Sequence, residues 1–377
     1  MSINLFMPTY RVEECIYEIK ECLEKGLIVN KTIEFEEKWK KYTGLSNAHF
    51  LNSATAGLHL AIKIFKDELG WKDGDEIISS PLTFVSSNHA ITYENLKVVF
   101  ADVDKYLCLD PEKVREKITD KTRAVLYAGI GGNTGRYKDI VKLCKKYNLK
   151  LIVNGSHMSG TRLDGEIVGK NADVIVYSFQ SVKNLPTADS GMICFRKKKY
   201  DDVVRKLSCL GINNKEYYMN CYEKESYKWK YDVEKIGYKY NGNPIMASIG
   251  LVQLKYLDQD NAYRRQIALW YDEAFKYYKN FIKPIPVIED CESSRHLYII
   301  EVNNRDELIK SLSLCEIYAG IHYIDNTEYE MYKYGKGLCP NAHRLSTRIL
   351  SLPLHLRLTK DDVREIASKV IKFASCI

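Results

Sequence analysis

The chain has 377 residues, enough for one large and one smaller domain around a sizeable core. Its 56 basic and 49 acidic residues leave a net charge of +7, spread thinly, with Arg196 to Lys199 the only basic run and no interleaved aromatics, which argues against nucleic-acid binding. Eleven cysteines without CxxC or His-x-x-x-His spacing argue against a disulfide framework or zinc site, so no metal ligands are assigned and a reducing cytoplasm is expected.

Met1 to Tyr10 lacks a basic start followed by an apolar stretch, and no apolar run approaches the roughly 20 residues that span a bilayer, so neither signal peptide nor membrane is expected. Amphipathic helices are predicted over Glu13 to Glu24 and Lys31 to Tyr42; in the first, Cys15, Ile16, Ile19 and Cys22 recur at helical spacing. A short strand, Ala48 to Leu51, runs into Asn52-Ser-Ala-Thr-Ala-Gly57. A helix follows, with Leu58, Ala61, Ile62 and Phe65 on one face. Small residues between a strand and a helix N-terminus let backbone N–H groups approach an anion. The same residues also fit a tight turn capped by Ser53 or Thr55.

Strands are then predicted at Glu76 to Ser79, Val98 to Ala101, Ala124 to Tyr127 and Leu149 to Val153, with helical patterns between them at Val85 to Tyr93, Pro111 to Ile118 and Tyr137 to Tyr147. This alternation predicts an α/β fold with a mostly parallel sheet and helices on both faces. Val174 to Tyr177 and Met192 to Phe195 are two more strand-like runs, and the polar loop between them carries Lys183. A lysine at the exit of a buried strand loses solvation, which lowers its pKa and frees the amine for a Schiff base. From this stretch alone the plainer reading, one more exposed lysine in a lysine-rich chain, also stands. Ligands of parallel sheets sit beyond the carboxyl ends of the strands. Asn52 to Thr55, Thr83 and Phe84, Asn154 to His157, and Ser178 to Lys183 all fall at such exits.

Further on come a helical segment, an irregular Tyr- and Lys-rich excursion from Tyr217 to Tyr240, and a long helix from about Ile245 to Lys279, kinked near Asp258 to Asn261. Pro284 and Pro286 mark a boundary. Strand Leu297 to Val302 and helices Arg305 to Ser313 and Lys360 to Phe373 then belong to a smaller α+β unit. The expected partition is 1–245, a cofactor-binding domain with its N-terminal helices, and 246–377, the long connecting helix with the small domain.

Taken together, Phe35-Glu36, Gly74-Asp-Glu-Ile77, Phe100-Ala-Asp-Val-Asp104, Ser178-Phe179 with Lys183-Asn184-Leu185, Gly237-Tyr-Lys-Tyr240 and Ser351-Leu-Pro-Leu-His355 resemble the DegT-type sugar-nucleotide aminotransferases. The resemblance implies the aspartate aminotransferase-like fold type I, with a seven-stranded, mostly parallel sheet. It implies pyridoxal 5'-phosphate as cofactor, with pyridoxamine 5'-phosphate as intermediate. Lys183 would bind the cofactor and shuttle the proton; relatives that remove a sugar hydroxyl instead carry histidine there. Ser178 and the backbone around Ala54 and Thr55 would hold the phosphate, and Phe84 would stack on the pyridine ring. His157 would sit near the phenolic oxygen, and Lys239 would reach across a homodimer interface to the neighbour's phosphate. The implied substrates are a nucleotide-linked keto sugar and glutamate as amino donor.

Three places depart from the family pattern. Asn154 replaces the usual aspartate that pairs with the pyridinium proton. A neutral hydrogen bond is roughly half as strong as a charge-assisted one, so slower carbanion formation is expected. Gly320-Ile-His-Tyr-Ile-Asp-Asn326 lacks the Pro-Leu-His-like continuation of relatives, and Asn241-Gly-Asn-Pro244 replaces an Arg-Met stretch. Two other readings remain open at this level: elimination or dehydration on a sugar nucleotide, and binding without turnover.

Overall fold

The structure, a computed structural model, describes residues 2–24, 29–212 and 231–375. Seven strands form the large sheet in the order His49–Leu51, Gly191–Phe195, Val174–Ser178, Lys150–Asn154, Thr122–Ala128, Glu76–Ser79 and Lys97–Phe100. The last five pair in parallel, whereas Gly191–Phe195 runs against both of its neighbours. The sheet is therefore mostly parallel, as its strand-helix alternation requires.

Side-chain alternation along the strands sorts the core into two layers. Val174 and Val176 pack with the helix Ala54–Leu69 on one face. Ile175 and Tyr177 pack with Phe35 and Trp39 of the helix Val29–Thr43 and with the long helix Pro244–Phe275 on the other. Leu58, Ala61, Ile62 and Phe65 are all buried, and Leu60 and Ile64 join them, so the helix is apolar over more of its circumference than one face. Glu36, buried beside Phe35, accepts from the Phe50 N–H at 2.8 Å, pairs with Arg205 at 2.8 Å and meets the His49 ring at 2.9 Å. That set of bonds ties the helix Val29–Thr43 to the sheet edge and to the helix Lys198–Leu207.

A second sheet pairs Tyr298–Val302 with Ile282–Pro284 and Ile349–Leu352, all antiparallel. Its core includes Ile267 and Tyr271 of the long helix and Val363 and Ile366 of the helix Lys360–Ser375. Ile3, from the other end of the chain, joins this cluster and bridges Ile317. The expected excursion lies outside the described residues over 217–230; from 231 to 240 it holds isolated bridges such as Cys209 with Lys239.

No break falls near Asp258 to Asn261, where a kink is expected: the helix Pro244–Phe275 is continuous through that stretch. Its polar side chains are instead lateral anchors. Asp258 accepts from the Tyr42 hydroxyl and Arg162, Asp260 pairs with Arg11 through both oxygens at 2.7 and 2.6 Å, and Asn261 donates to the Ser159 carbonyl. The Asn241-Gly-Asn-Pro244 stretch starts this helix. Asn243 caps it by accepting from the Met246 N–H, and Pro244 occupies the first turn, where no amide hydrogen is needed.

Asp260 is buried and pairs with Arg11, and its charge also opposes the burial that lowers the pKa of the enclosed Arg264 to about 10. Removing one partner of a buried pair leaves an uncompensated charge. Asp260→Asn is therefore expected to cost about 3 kcal/mol of stability, read as a lower urea midpoint at unchanged m-value.

Candidate active site

Register places Leu51, Gly191 and Ser178 side by side, because Gly191 pairs with both of the others. The chain that leaves Leu51 reaches the helix N-terminus at Ser53 and lies directly against Gly191. A Cβ on Gly191 would stand 2.7 Å from the Ala54 N, so only glycine lets the segments approach this closely. Ser53 caps the helix by accepting from the Ala56 N–H at 3.1 Å. The capping reading of this turn is met through Ser53. The cap uses the Ala56 N–H, and the N–H groups of Ala54 and Thr55, in the first turn, lack partners within the helix.

Ser178 ends its strand on the far side of Gly191. The loop beyond it is closed by Phe179 N–H to Ser190 O at 2.8 Å and Thr187 N–H to Phe179 O at 2.7 Å, with the Lys183 N–H on Gln180 O at 2.8 Å. Next to the lysine, Asn184 donates to Asn261 Oδ1 at 2.7 Å and to Ser294 O at 2.8 Å, and its oxygen meets His296 Nδ1 at 3.0 Å. One buried amide therefore fastens the lysine loop to the long helix and to the segment that enters the second sheet.

A cavity of ≈ 410 Å³ opens at this edge and is lined by Ala54, Thr55, Phe84, Asn154, His157, Ser178 and Lys183. The four clusters at strand exits do converge. Lys239 is not in the lining; it is exposed, and its backbone carbonyl accepts from Asn52 Nδ2 at 3.3 Å. His322 and Tyr323 complete the wall from the second unit. Sequence reasoning singled out their segment only as a departure, and the His-Tyr pair within it was the available signal. Asn184 and His296 were missed as partners because their contact spans 112 positions of chain.

Burial pushes the Lys183 pKa down to about 8, and among the described residues its Nζ makes no hydrogen bond or ion pair. Burial, then the Lys183 charge, holds His157 well below the usual histidine range; His296 is lowered chiefly by burial and next by His157, and His322 falls to about 4 by burial and Lys183. The cavity wall thus presents the neutral imidazoles of His157 and His322, the Lys183 amine and the exposed carboxyl of Asp189. Asn154, at the end of its strand, accepts from the Ser156 N–H at 3.1 Å and donates to Ser87 Oγ at 2.9 Å. Phe84 is 55% exposed at the mouth, with its ring 5.9 Å from that of Tyr323. A helix N-terminus with free N–H groups, a half-buried, unpartnered amine and an exposed aromatic face suit a phosphate-bearing aldehyde.

Sheet order and the position of the lysine define a fold type I architecture of the aspartate aminotransferase kind. The chain belongs to the DegT/DnrJ/EryC1/StrS aminotransferase family, which matches residues 10–371. Among its relatives, UDP-4-amino-4,6-dideoxy-N-acetyl-beta-L-altrosamine transaminase of Campylobacter jejuni is 31% identical over 91% of this chain and 89% of that one. The structure of Helicobacter pylori PseC, an aminotransferase involved in the biosynthesis of pseudoaminic acid, superposes with a TM-score of 0.91 at 25% identity, covering 100% of both chains. Spr1654 of Streptococcus pneumoniae, solved in a PMP-form, gives 0.89 at 27% identity over 98% of this chain and 99% of that one. Among the described residues no helix is long and apolar enough to cross a membrane.

A lysine reacts as its neutral form, so depression to about 8 brings reactivity into the physiological range. In cofactor-free protein, acylation of Lys183 followed by mass spectrometry is expected to rise with a midpoint near pH 8, while exposed lysines follow near ~10.4.

Proposed function

We propose that the protein uses pyridoxal 5'-phosphate to convert a nucleotide-linked keto sugar to the amino sugar, with glutamate as donor. The observation that carries this reading is the half-buried, unpartnered amine of Lys183 in one cavity with the N-terminus of the helix Ala54–Leu69. The Campylobacter relative, named as a transaminase of a UDP-linked amino sugar, supports the substrate class. When bound, the cofactor supplies an electron sink for the carbanion at the substrate carbon.

The chain's own residues then divide the work. The backbone N–H groups of Ala54 and Thr55 and the Ser178 hydroxyl hold the phosphate. Phe84 covers a ring face and Asn154 meets the ring nitrogen. His157 lies on the side of the phenolic oxygen. Lys183 Nζ would hold the cofactor and, as a free amine, would take up and release the proton, a role that a pKa near 8 favours. Lys239, exposed and outside the cavity, completes the phosphate site of the other copy in a homodimer. The chain works as two units, 1–245 and 246–377, in the cytoplasm. Elimination on a sugar nucleotide is the second reading, and Asn154 in place of a carboxylate favours it.

Purified protein is expected to show a visible absorbance band that borohydride fixes to Lys183. Glutamate should convert that band to the pyridoxamine form; a band that ignores glutamate supports elimination or binding alone, and no band with no adduct refutes the cofactor reading. Asn154→Asp is expected to speed the glutamate half-reaction about tenfold, the factor that corresponds to about 1.4 kcal/mol, measured by stopped-flow absorbance.

A further inference from the structure

His157 has two ring nitrogens and, when neutral, one proton to place. Its Nδ1 lies 3.2 Å from the backbone N of Gly131, a group that only donates, so Nδ1 must carry a lone pair. The proton is therefore on Nε2, which stands 3.0 Å from the Tyr323 hydroxyl oxygen. Burial keeps the ring neutral, with Lys183 adding to the effect, so no second ring proton is available. Both nitrogens of His157 are thereby committed to protein.

Tyr323 receives the proton of His157 in this hydrogen bond, so its own O–H must point elsewhere. Among the described residues that O–H has no further partner, and Tyr323 lines the cavity together with Lys183, Phe84 and Asn154. The phenol ring is fixed from two sides, 6.0 Å from the His157 ring and 5.9 Å from the Phe84 ring. His296 cannot take over as a donor. The Asn184 amide nitrogen already donates twice, so its oxygen accepts the His296 Nδ1 proton and leaves only a lone pair on Nε2.

We propose that Tyr323, not His157, donates the hydrogen bond to the cofactor's phenolic oxygen, and that His157 is a positioning residue that aims the tyrosine proton. The inference rests on the cofactor reading above, since position 157 is the one that the family resemblance sets beside that oxygen. A donor at the phenolic oxygen matters most when the oxygen bears its charge without the neighbouring imine proton, so the donor lowers the pH at which the visible band titrates.

The test is the pH titration of the visible band in cofactor-loaded protein. Tyr323→Phe is expected to raise the midpoint by about one unit. Replacement of Tyr323 by 3-fluorotyrosine, a stronger donor of nearly the same shape, is expected to lower it, which separates hydrogen bonding from any folding defect. A midpoint and wavelength that stay at the wild-type values in both proteins overturn the proposal and leave the cofactor reading intact. A wild-type protein without a lysine-bound band overturns the cofactor reading itself, and this inference with it.

Discussion

The contact of Gly191 with Ser53 and Ala54 sets the geometry of everything else at the site. Two backbones meet there at a distance that no side chain would allow, since an added Cβ would sit 2.7 Å from both the Ser53 carbonyl carbon and the Ala54 N. Because Gly191 also pairs with Ser178, the helix N-terminus and the strand end that leads to Lys183 are held one strand apart. That strand runs antiparallel to both neighbours. Its reversal lets the loop from Ser178 through Lys183 return to Gly191 at the same edge of the sheet, where a parallel connection would have to cross to the opposite edge. The lysine thus sits on a compact loop closed by its own backbone bonds.

Much of this was legible in the sequence because it depends on local pattern. Val174 to Tyr177 and Met192 to Phe195 read as strands from their β-branched and apolar side chains, and Ser53 before an apolar helical face read as a cap. The alternation of strands and helices implied the sheet edge, and the edge implied convergence. The long-range contacts were beyond that kind of reading. Tyr323 meets His157 across 166 positions, and nothing local to Gly320 to Asn326 says that its hydroxyl will arrive there. The polar stretch near Asp258 is of the same kind: in sequence it reads as an interruption of the long helix, and only the distant partners Tyr42, Arg162 and Arg11 show it to be a set of anchors. Phe35 and Glu36 helped to carry the resemblance, yet their observed contacts are structural, in the core and in the bonds to His49 and Arg205.

The electrostatics of the cavity follow from how few charges line it. Burial is the whole cause of the lowered Lys183 pKa, which means that no carboxylate among the described residues holds the ammonium form in place. Neutral His157, His296 and His322 supply hydrogen bonds without adding positive charge. Asp189 also lines the cavity; it is exposed at the mouth, and partial burial raises its pKa above the ordinary aspartate value. An amine in such surroundings is poised to act as nucleophile and proton carrier, and an anionic ligand would meet backbone dipoles and the lysine with little competition.

Asn154 fits this pattern for an electrostatic reason, since its hydrogen bonds do not demand an amide. Its oxygen takes the Ser156 N–H, which an aspartate would accept equally, and its nitrogen donates to Ser87 Oγ, a hydroxyl that could turn and donate to a carboxylate instead. Thr83 Oγ1, 3.2 Å from the same hydroxyl, can supply the compensating bond in either arrangement. The asparagine is therefore not imposed by the surrounding bonds. What a carboxylate would change is the charge of the cavity: it would favour the ammonium form of Lys183 and strengthen any protonated ring nitrogen beside it. On the proposed cofactor reading, a charge at 154 would therefore act on both the basicity of the lysine and the electron demand of the ring, within the same set of surrounding bonds.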